Sequence, residues 1–562
     1  MPLYMQTGNK QDLFWKEDEV PFKKRNNILV GASEPIDYMS LGNLILKAFK
    51  YKPKFIGQID AETGEEVTFQ QMREKSVKLA LWLQKLGIKQ NDVITICTNN
   101  QMQVSSPLLA SIYLNAVVNI WDTKYLADPI RFLYFLLENH PDIIFVDDEN
   151  FMRVRVMLRC TRIHYGITDL PRIISLGNKT QKNDASLDSI LDSEFDQFEV
   201  DKFTCTKNIA NSTAIVIFSS NTTNFPGDAR ISYEAFLSPS NEQTPIMKSN
   251  DVGLWYGSIN WTHNLLLTIR AIFWYVTAIK LSRDCTEENL SQIVEKYKVT
   301  WVFLESNICN KLSNTDVLKK YDVSSLKQVL FGDTTIRREV HEGLIQSLPN
   351  VSIIQVYGLS ETGVIAYQRN TGKIGSSGYV SKNVQLMFVD LKTRKPVGSN
   401  TCGEIWCQTP SSIVLSDRIK MIESEYDRKR TSEGWYYTGD VGYFDEDGDI
   451  FVIGKSREII KYRDFIIPST KIEEVLLRHP AVSKAAVVAV TDIIDGNHPK
   501  AFVIKEPGGK VTKKELMKFV EDNMDSSCIL RGGLHFLNAE MPYLPNGKVD
   551  RLLLLNMPRE AE

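Results

Sequence analysis

Apolar positions along the first two-thirds of this chain recur in two alternating rhythms. Thr68 and Gln71 have the spacing of a helix capping box, and Met72, Leu79, Leu83 and Leu86 continue it as an apolar stripe at helical spacing. Gly87 predicts where that helix stops, since glycine readily takes the left-handed turn after a last helical residue. Val93-Ile94-Thr95-Ile96 then reads as a buried strand. Further β-like runs are Ile143 to Val146, Ala214 to Phe218, Thr300 to Leu304, Gln328 to Leu330 and Ile353 to Val356. Most are followed within a few residues by a polar or helical segment. Strands that alternate with helices predict an α/β fold with mostly parallel sheets, and function at the carboxyl ends of the strands.

Near residue 450 the texture changes. Phe444-Asp445-Glu446-Asp447-Gly448-Asp449 is an acidic turn, followed by the strand-like Ile450-Phe451-Val452-Ile453 and by Gly454. Beyond it come apolar runs at Ala485 to Val490 and Ala501 to Ile504, and a second capping box, Thr512 with Glu515. The boundary is drawn at Gly454, giving a large N-terminal domain, 1–453, and a small α+β domain, 454–562.

Composition narrows the function classes. A chain of 562 residues exceeds one ordinary core, and 66 Lys plus Arg against 69 Asp plus Glu leaves a net charge of -3. That balance argues against nucleic-acid or membrane-surface binding through bulk charge. The apolar stretch Ala271 to Ile279 is half a membrane span, so a core element is expected there and no membrane span. Eight scattered cysteines without a Cys-x-x-Cys pair fit free thiols in a reducing compartment. Met1 to Asn9 lacks a secretory pattern, and Arg559 to Glu562 is no Ser-Lys-Leu type address. The expectation is a cytoplasmic protein, with the peroxisome as the alternative.

Four segments carry candidate chemistry. Ser219-Ser220-Asn221-Thr222-Thr223-Asn224-Phe225-Pro226-Gly227-Asp228 follows a predicted strand, where hydroxyls and backbone N–H groups can cradle phosphate; alone, it also reads as a surface turn. Tyr357-Gly358-Leu359-Ser360-Glu361-Thr362 also follows a predicted strand: Glu361 suits Mg²⁺ and Gly358 lets backbone approach a ligand, though a plain strand-to-helix loop has the same look. In Gly434-Trp435-Tyr436-Tyr437-Thr438-Gly439-Asp440, Asp440 can accept hydrogen bonds from a ribose diol or serve a turn. Tyr543-Leu544-Pro545-Asn546-Gly547-Lys548-Val549-Asp550-Arg551 contains a tight turn presenting Lys548, whose ammonium suits charge on a transferring phosphate group.

In this order and spacing the four segments resemble the core motifs of the adenylate-forming (ANL) superfamily, which includes acyl- and aryl-CoA synthetases, peptide-synthetase adenylation domains and beetle luciferases. Gly403-Glu404-Ile405, Gly454-Lys455-Ser456-Arg457-Glu458-Ile459-Ile460-Lys461-Tyr462, Ile472 to Leu477 and His479-Pro480-Ala481-Val482 extend the resemblance over nearly the whole chain. Insect luciferase-like acyl-CoA synthetases are the members it most resembles. The resemblance implies a large domain of αβ-layered, mostly parallel sheets plus a β-subdomain, followed by a small mobile domain. It implies an acyl-CoA synthetase using ATP, Mg²⁺ and CoA to convert a small carboxylic acid, with a fatty acid expected, into acyl-AMP and then acyl-CoA. By similarity Lys548 neutralises charge at the α-phosphate, Glu361 holds Mg²⁺, and Ser360 contacts phosphate together with Ser219, Ser220, Thr222 and Thr223. Asp440 holds the ribose hydroxyls, Lys455 stands at a ribose-contacting position, and Tyr357 and Gly358 line the adenine and acyl channel. Rotation about Gly454 would exchange Lys548 for Lys461 between the half-reactions.

The phosphate segment departs from the family pattern S-[ST]-G-[ST]-T-G-x-P-K-G. Asn221 and Asn224 replace glycines, Gly227 replaces the lysine and Asp228 replaces the last glycine. Lys455 stands for an arginine, Asp464 for a glycine and Lys471 for an acidic residue, and Phe331 to Thr335 for a small glycine-rich turn. Three readings stay open: a working ligase, a non-catalytic nucleotide- or acyl-binding relative, and a luciferase-like monooxygenase. The acyl pocket is expected around Gly253 to Tyr275, a ring-rich segment whose side chains either narrow the channel or fill core; His263 is read as a pocket residue or as an ordinary core or surface histidine.

Overall fold

Val93–Cys97 has almost no polar face to offer water, and the chain buries it in the middle of a sheet. The same logic recurs through the chain. The computed structural model describes residues 22–35, 40–99, 102–177, 185–206, 212–218, 228–242, 245–256, 259, 261–282, 285–332, 336, 338–409, 433–463, 465–538, 540–543 and 549–557. Among these residues the strands form four sheets.

One six-stranded sheet is largely parallel, with Val93–Cys97 between Val117–Ile120 and Ile143–Val146. At one edge Thr213–Phe218 turns back antiparallel into Asp228–Ser232. A nine-stranded sheet carries a parallel block of Thr277–Lys280, Val252–Trp255, Trp301–Leu304, Gln328–Phe331 and Ser352–Leu359, in that spatial order. A six-stranded antiparallel sheet, the β-subdomain, includes Gly403–Gln408, Tyr436–Phe444 and Ile450–Lys455. The fourth sheet gathers Ile459–Tyr462, Phe465–Pro468, Val482–Asp492, Gly496–Lys505 and Leu534–Phe536, with the helices Ser469–Leu477 and Lys513–Asn523 closing its core. This is the mixed α/β architecture expected from the sequence, a large layered region followed by a small α+β one. The antiparallel sheet ends at Lys455 and the next begins at Ile459.

Both capping boxes form: the Thr68 side chain accepts from Gln71 N–H and the Thr512 side chain from Glu515 N–H, each with the reciprocal bond. Leu86 departs from the predicted stripe. It caps the helix Phe69–Lys85 and is 38% exposed, because the chain has already turned towards Gly87 at φ +91°. Ala271 to Ile279 divides between the end of the helix Thr262–Trp274 and the strand Thr277–Lys280. All eight cysteines are free. No helix among the described residues is long and apolar enough to cross a membrane.

The rings of the Gly253 to Tyr275 segment are mostly core. Trp255 lies parallel to Trp301, with centroids 5.2 Å apart, and Gly253 makes room for that second ring: a Cβ there would stand 2.3 Å from it. Phe273 and Tyr275 belong instead to the core shared with the first parallel sheet.

Candidate functional site

The predicted Tyr357–Thr362 loop is a tight hairpin. The strand Ser352–Leu359 runs through Tyr357 and Gly358, turns at Ser360, Glu361 and Thr362, and returns antiparallel as Gly363–Tyr367. This corrects both the strand-to-helix reading and the role assigned to Gly358. A Cβ on Gly358 would lie 2.4 Å from the Gly363 carbonyl oxygen, so the close approach it permits is to the hairpin's own backbone. The hairpin is also tied to the helix above it, where the Thr262 hydroxyl donates to the Ser360 carbonyl at 3.3 Å.

Asp440 sits inside the strand Tyr436–Phe444, not in a turn, and is 4% exposed. Gly439 before it has φ +71°, a conformation that favours glycine. Both carboxylate oxygens are engaged. The Tyr357 hydroxyl donates to Oδ2 at 2.9 Å, and Lys455 Nζ lies 2.7 Å from Oδ1. Lys455 arrives there because Asp440 and Lys455 are register partners in the antiparallel pair. Counting outward from the acidic turn would pair Asp440 with Gly454; a register shift between Val441 and Gly442 moves the partner to Lys455, which the sequence does not announce. Lys373 anchors the same turn, 2.6 Å from both Asp445 and Asp447 and 3.2 Å from Asp449.

Two sheets therefore meet at a buried polar corner. Glu361 is 7% exposed, and Tyr436, a residue whose place in the site the motif did not reveal, is 1% exposed. Burial, reinforced by the carboxylate of Asp440, pushes the Tyr357 hydroxyl well above its ordinary value. Burial does the same to Tyr436, with Glu361, Cys407 and Asp440 adding to it. Glu361 and Asp440, 79 positions apart by number, thus act on one phenol from opposite sheets. An ionised carboxylate offers about four acceptor positions, so Asp440 can still receive a ligand hydroxyl while holding both partners.

Ser219, Ser220, Thr222, Thr223 and Lys548 lie outside the described residues, as do Asp333 to Thr335 and Asp464. Their flanks are placed. The segment 219–227 is closed by a strand pair in which Asp228 stands opposite Phe218, and Arg230 opposite Val216. A bridge joins Tyr543 and Val549, the described residues on either side of the segment that contains Lys548. Just after it, Arg551 grips Glu473 with two guanidinium nitrogens at 2.6 and 3.3 Å, and Asp550 caps a short helix. Lys461 is half-exposed in the strand Ile459–Tyr462, opposite Ile466. Gly454 pairs with Val441 directly beside a register shift in this strand pair, and a Cβ there would meet nothing within 4 Å.

His263 packs on the Phe303 ring with centroids 4.6 Å apart, and burial pulls it down to about 3, Arg270 adding to the effect, so it is neutral at working pH. Its Nε2 has no hydrogen-bond partner among the described residues.

Two family models match the chain: "AMP-binding enzyme" over residues 47–414, and "AMP-binding enzyme C-terminal domain" over residues 471–548. A luciferin 4-monooxygenase of Nipponoluciola cruciata is 26% identical over 93% of this chain and 96% of its own. A probable CoA ligase of Humulus lupulus is also 26% identical, over 95% and 96%. Among solved structures, an anthranilate CoA ligase in complex with anthranoyl-AMP superposes with a TM-score of 0.77 at 17% identity, covering 93% of this chain and 97% of that one.

Proposed function

Because the chain belongs to the AMP-binding enzyme family, we propose that it activates a carboxylic acid with ATP and transfers the acyl group to CoA. The observation that carries this reading is the convergence of Tyr357, Glu361 and Asp440 at one buried corner between two sheets. Similarity to CoA ligases along nearly the whole chain supports it. The acid's carboxylate oxygen attacks the α-phosphorus of ATP, and the bond to pyrophosphate breaks. The thiolate of CoA then attacks the acyl carbonyl, releasing AMP.

In this reading Asp440 accepts from the ribose hydroxyls, with Lys455 and Tyr357 holding the carboxylate in place. Ser360 meets phosphate, together with Ser219, Ser220, Thr222 and Thr223. Glu361 supplies the hard, buried carboxylate oxygen that Mg²⁺ prefers, and the ion would contribute charge neutralisation on the phosphates. Lys548 neutralises charge developing at the α-phosphate. The small domain beyond Gly454 turns about that residue to exchange Lys548 for Lys461. A fatty acid substrate and a cytoplasmic or peroxisomal setting remain part of the proposal.

Two observations favour a second reading, a non-catalytic ligand-binding relative. Both oxygens of Asp440 are already engaged within the protein, and the phosphate segment has gained Asp228 where the family has glycine. One contact between unit charges at about 4 Å is worth about 4 kcal/mol at an effective dielectric near 20, enough to weaken a polyphosphate site.

ATP–pyrophosphate exchange with a panel of fatty and aryl acids separates the two. Acid-dependent exchange in the wild type that falls at least about a hundredfold in Lys548→Ala supports adenylation. Nucleotide binding without exchange for any acid supports the second reading.

A further inference from the structure

Lys280 closes the strand Thr277–Lys280 at the carboxyl edge of the parallel block. It is 3% exposed. Its ammonium donates to the Thr268 hydroxyl at 3.5 Å and lies 4.7 Å from the centroid of the Trp255 ring. Among the described residues no carboxylate pairs with it, and burial alone accounts for its shift. Burial lowers it to about 8, so at neutral pH most molecules still carry the positive charge. Buried cations are ordinarily paired. A site that leaves one without an anion breaks a local rule of folding, and such breaks concentrate where ligands bind.

Lys280 also lines a small cavity of about 10 Å³. Gln58, Ser105, Asn264 and Thr268 give it polar walls, with Val104 and Leu265 beside them. That volume is about what one water molecule needs, so it admits one oxygen of a larger terminal group.

The cavity shares two structural features with the adenylate corner. The first is the sheet edge, since Trp255, Phe303, Leu330 and Ile354 lie in register on successive strands, one residue beyond the Leu254–Ile279 pair. Lys280 stands at one end of that row, and Tyr357 lies three residues past its other end. Four strand spacings of about 4.8 Å put roughly 19 Å between them along the edge. The second is the helix Thr262–Trp274, which touches Ser360 through Thr262 and Lys280 through Thr268. At 1.5 Å per residue these contacts are roughly 9 Å apart along its axis.

We propose that Lys280 recognises the far end of the acid: an oxygen-bearing terminus, a carboxylate in preference to a hydroxyl, on a chain whose other carboxyl group is the one activated at the Tyr357 corner. The proposal rests on the adenylation reading and adds the substrate class to it. Thr268, Asn264, Gln58 and Ser105 supply hydrogen bonds around the same terminal oxygen, and the Trp255 ring closes the side facing the sheet.

The test compares acids of graded length ending in methyl, hydroxyl or carboxylate, with kcat/KM for acyl-AMP formation measured on the wild type, Lys280→Met and Lys280→Gln. The expected result is a preference of at least about tenfold for the carboxylate-ended acid over its methyl-ended partner at some length, collapsing towards one in Lys280→Met. A preference for the hydroxyl-ended acid that likewise needs Lys280 assigns the same site to a neutral oxygen and overturns the anionic preference. Methyl-ended acids preferred at every length, with the ratio unchanged in Lys280→Met, overturn the proposal. The same acids are titrated calorimetrically into protein without nucleotide, so that failure of adenylation is told apart from failure of tail recognition. Binding that depends on the terminus and is lost in Lys280→Met supports the site even if no acid is adenylated, and binding indifferent to the terminus overturns it.

Discussion

The molecule treats its buried charges in two opposite ways. At the corner between the sheets, Asp440 is held on both oxygens, by Lys455 and by Tyr357. At the helix Thr262–Trp274 the handling differs: His263, within the helix, is kept neutral, and Lys280, packed against it, is buried with no counter-ion among the described residues. One region has settled its electrostatics before any ligand arrives, and the other has left them unsettled. The Asp440–Lys455 pair ties neighbouring strands of one sheet and the Tyr357 bond reaches the other sheet, whereas a buried charge without a partner costs stability.

The largest expected break in this contrast comes from acid. Below its ordinary value near 6.5, His263 takes up a proton in the unfolded chain, while in the folded protein it stays neutral down to about 3. The unfolded state binds more protons throughout that window, so stability falls as the pH drops through it. The loss from this one group approaches about 5 kcal/mol near pH 3. His263→Phe removes the group, and denaturant midpoints followed from about pH 7 downwards should fall less steeply in the variant than in the wild type. Equal slopes would mean that the ring is not buried as described.

Next in size is a matched pair of substitutions of opposite sign. Lys455→Met leaves Asp440 buried with half its partners gone and should destabilise the protein by about 3 to 4 kcal/mol, slightly discounted because Lys455 is itself 35% exposed. Lys280→Met removes an unpaired charge and should stabilise it, by somewhat less. Between about 8 and the ordinary 10.5 the unfolded chain is protonated at this lysine and the folded one is not, so stability rises with pH there. Below about 8 the full cost is present, about 3 kcal/mol, and the substitution relieves it. Two Lys→Met changes that shift the thermal midpoint in the same direction would end the comparison.

Much of the frame was legible in the sequence. Ile143–Val146 was predicted residue for residue, because a run of four buried apolar residues has nowhere else to go. Both capping boxes formed, because their chemistry is local. The polar site was harder to read, because it depends on partners far away in the chain. Nothing near Gly358 announces that its neighbour will be the carbonyl of Gly363, which turns an expected loop into a hairpin. Asp440 looks like a turn residue until its strand is laid beside the one ending at Lys455. Lys280, in Thr277-Ala278-Ile279-Lys280, has the look of an ordinary exposed strand end, and only the helix packed over it makes the charge a buried one. The ring of Trp255, which the sequence left between narrowing a channel and filling core, packs parallel to Trp301 in the core.

The most direct measurement of the central claim is mass-spectrometric detection of acyl-AMP on the purified protein, after mixing with ATP, Mg²⁺ and one acid at a time in the absence of CoA, followed by a CoA chase. The expected result is that at least one acid yields acyl-AMP and pyrophosphate, and that the chase converts the adduct to acyl-CoA with release of AMP. Nucleotide bound to the protein with no adduct from any acid, at any chain length or terminus, would contradict it.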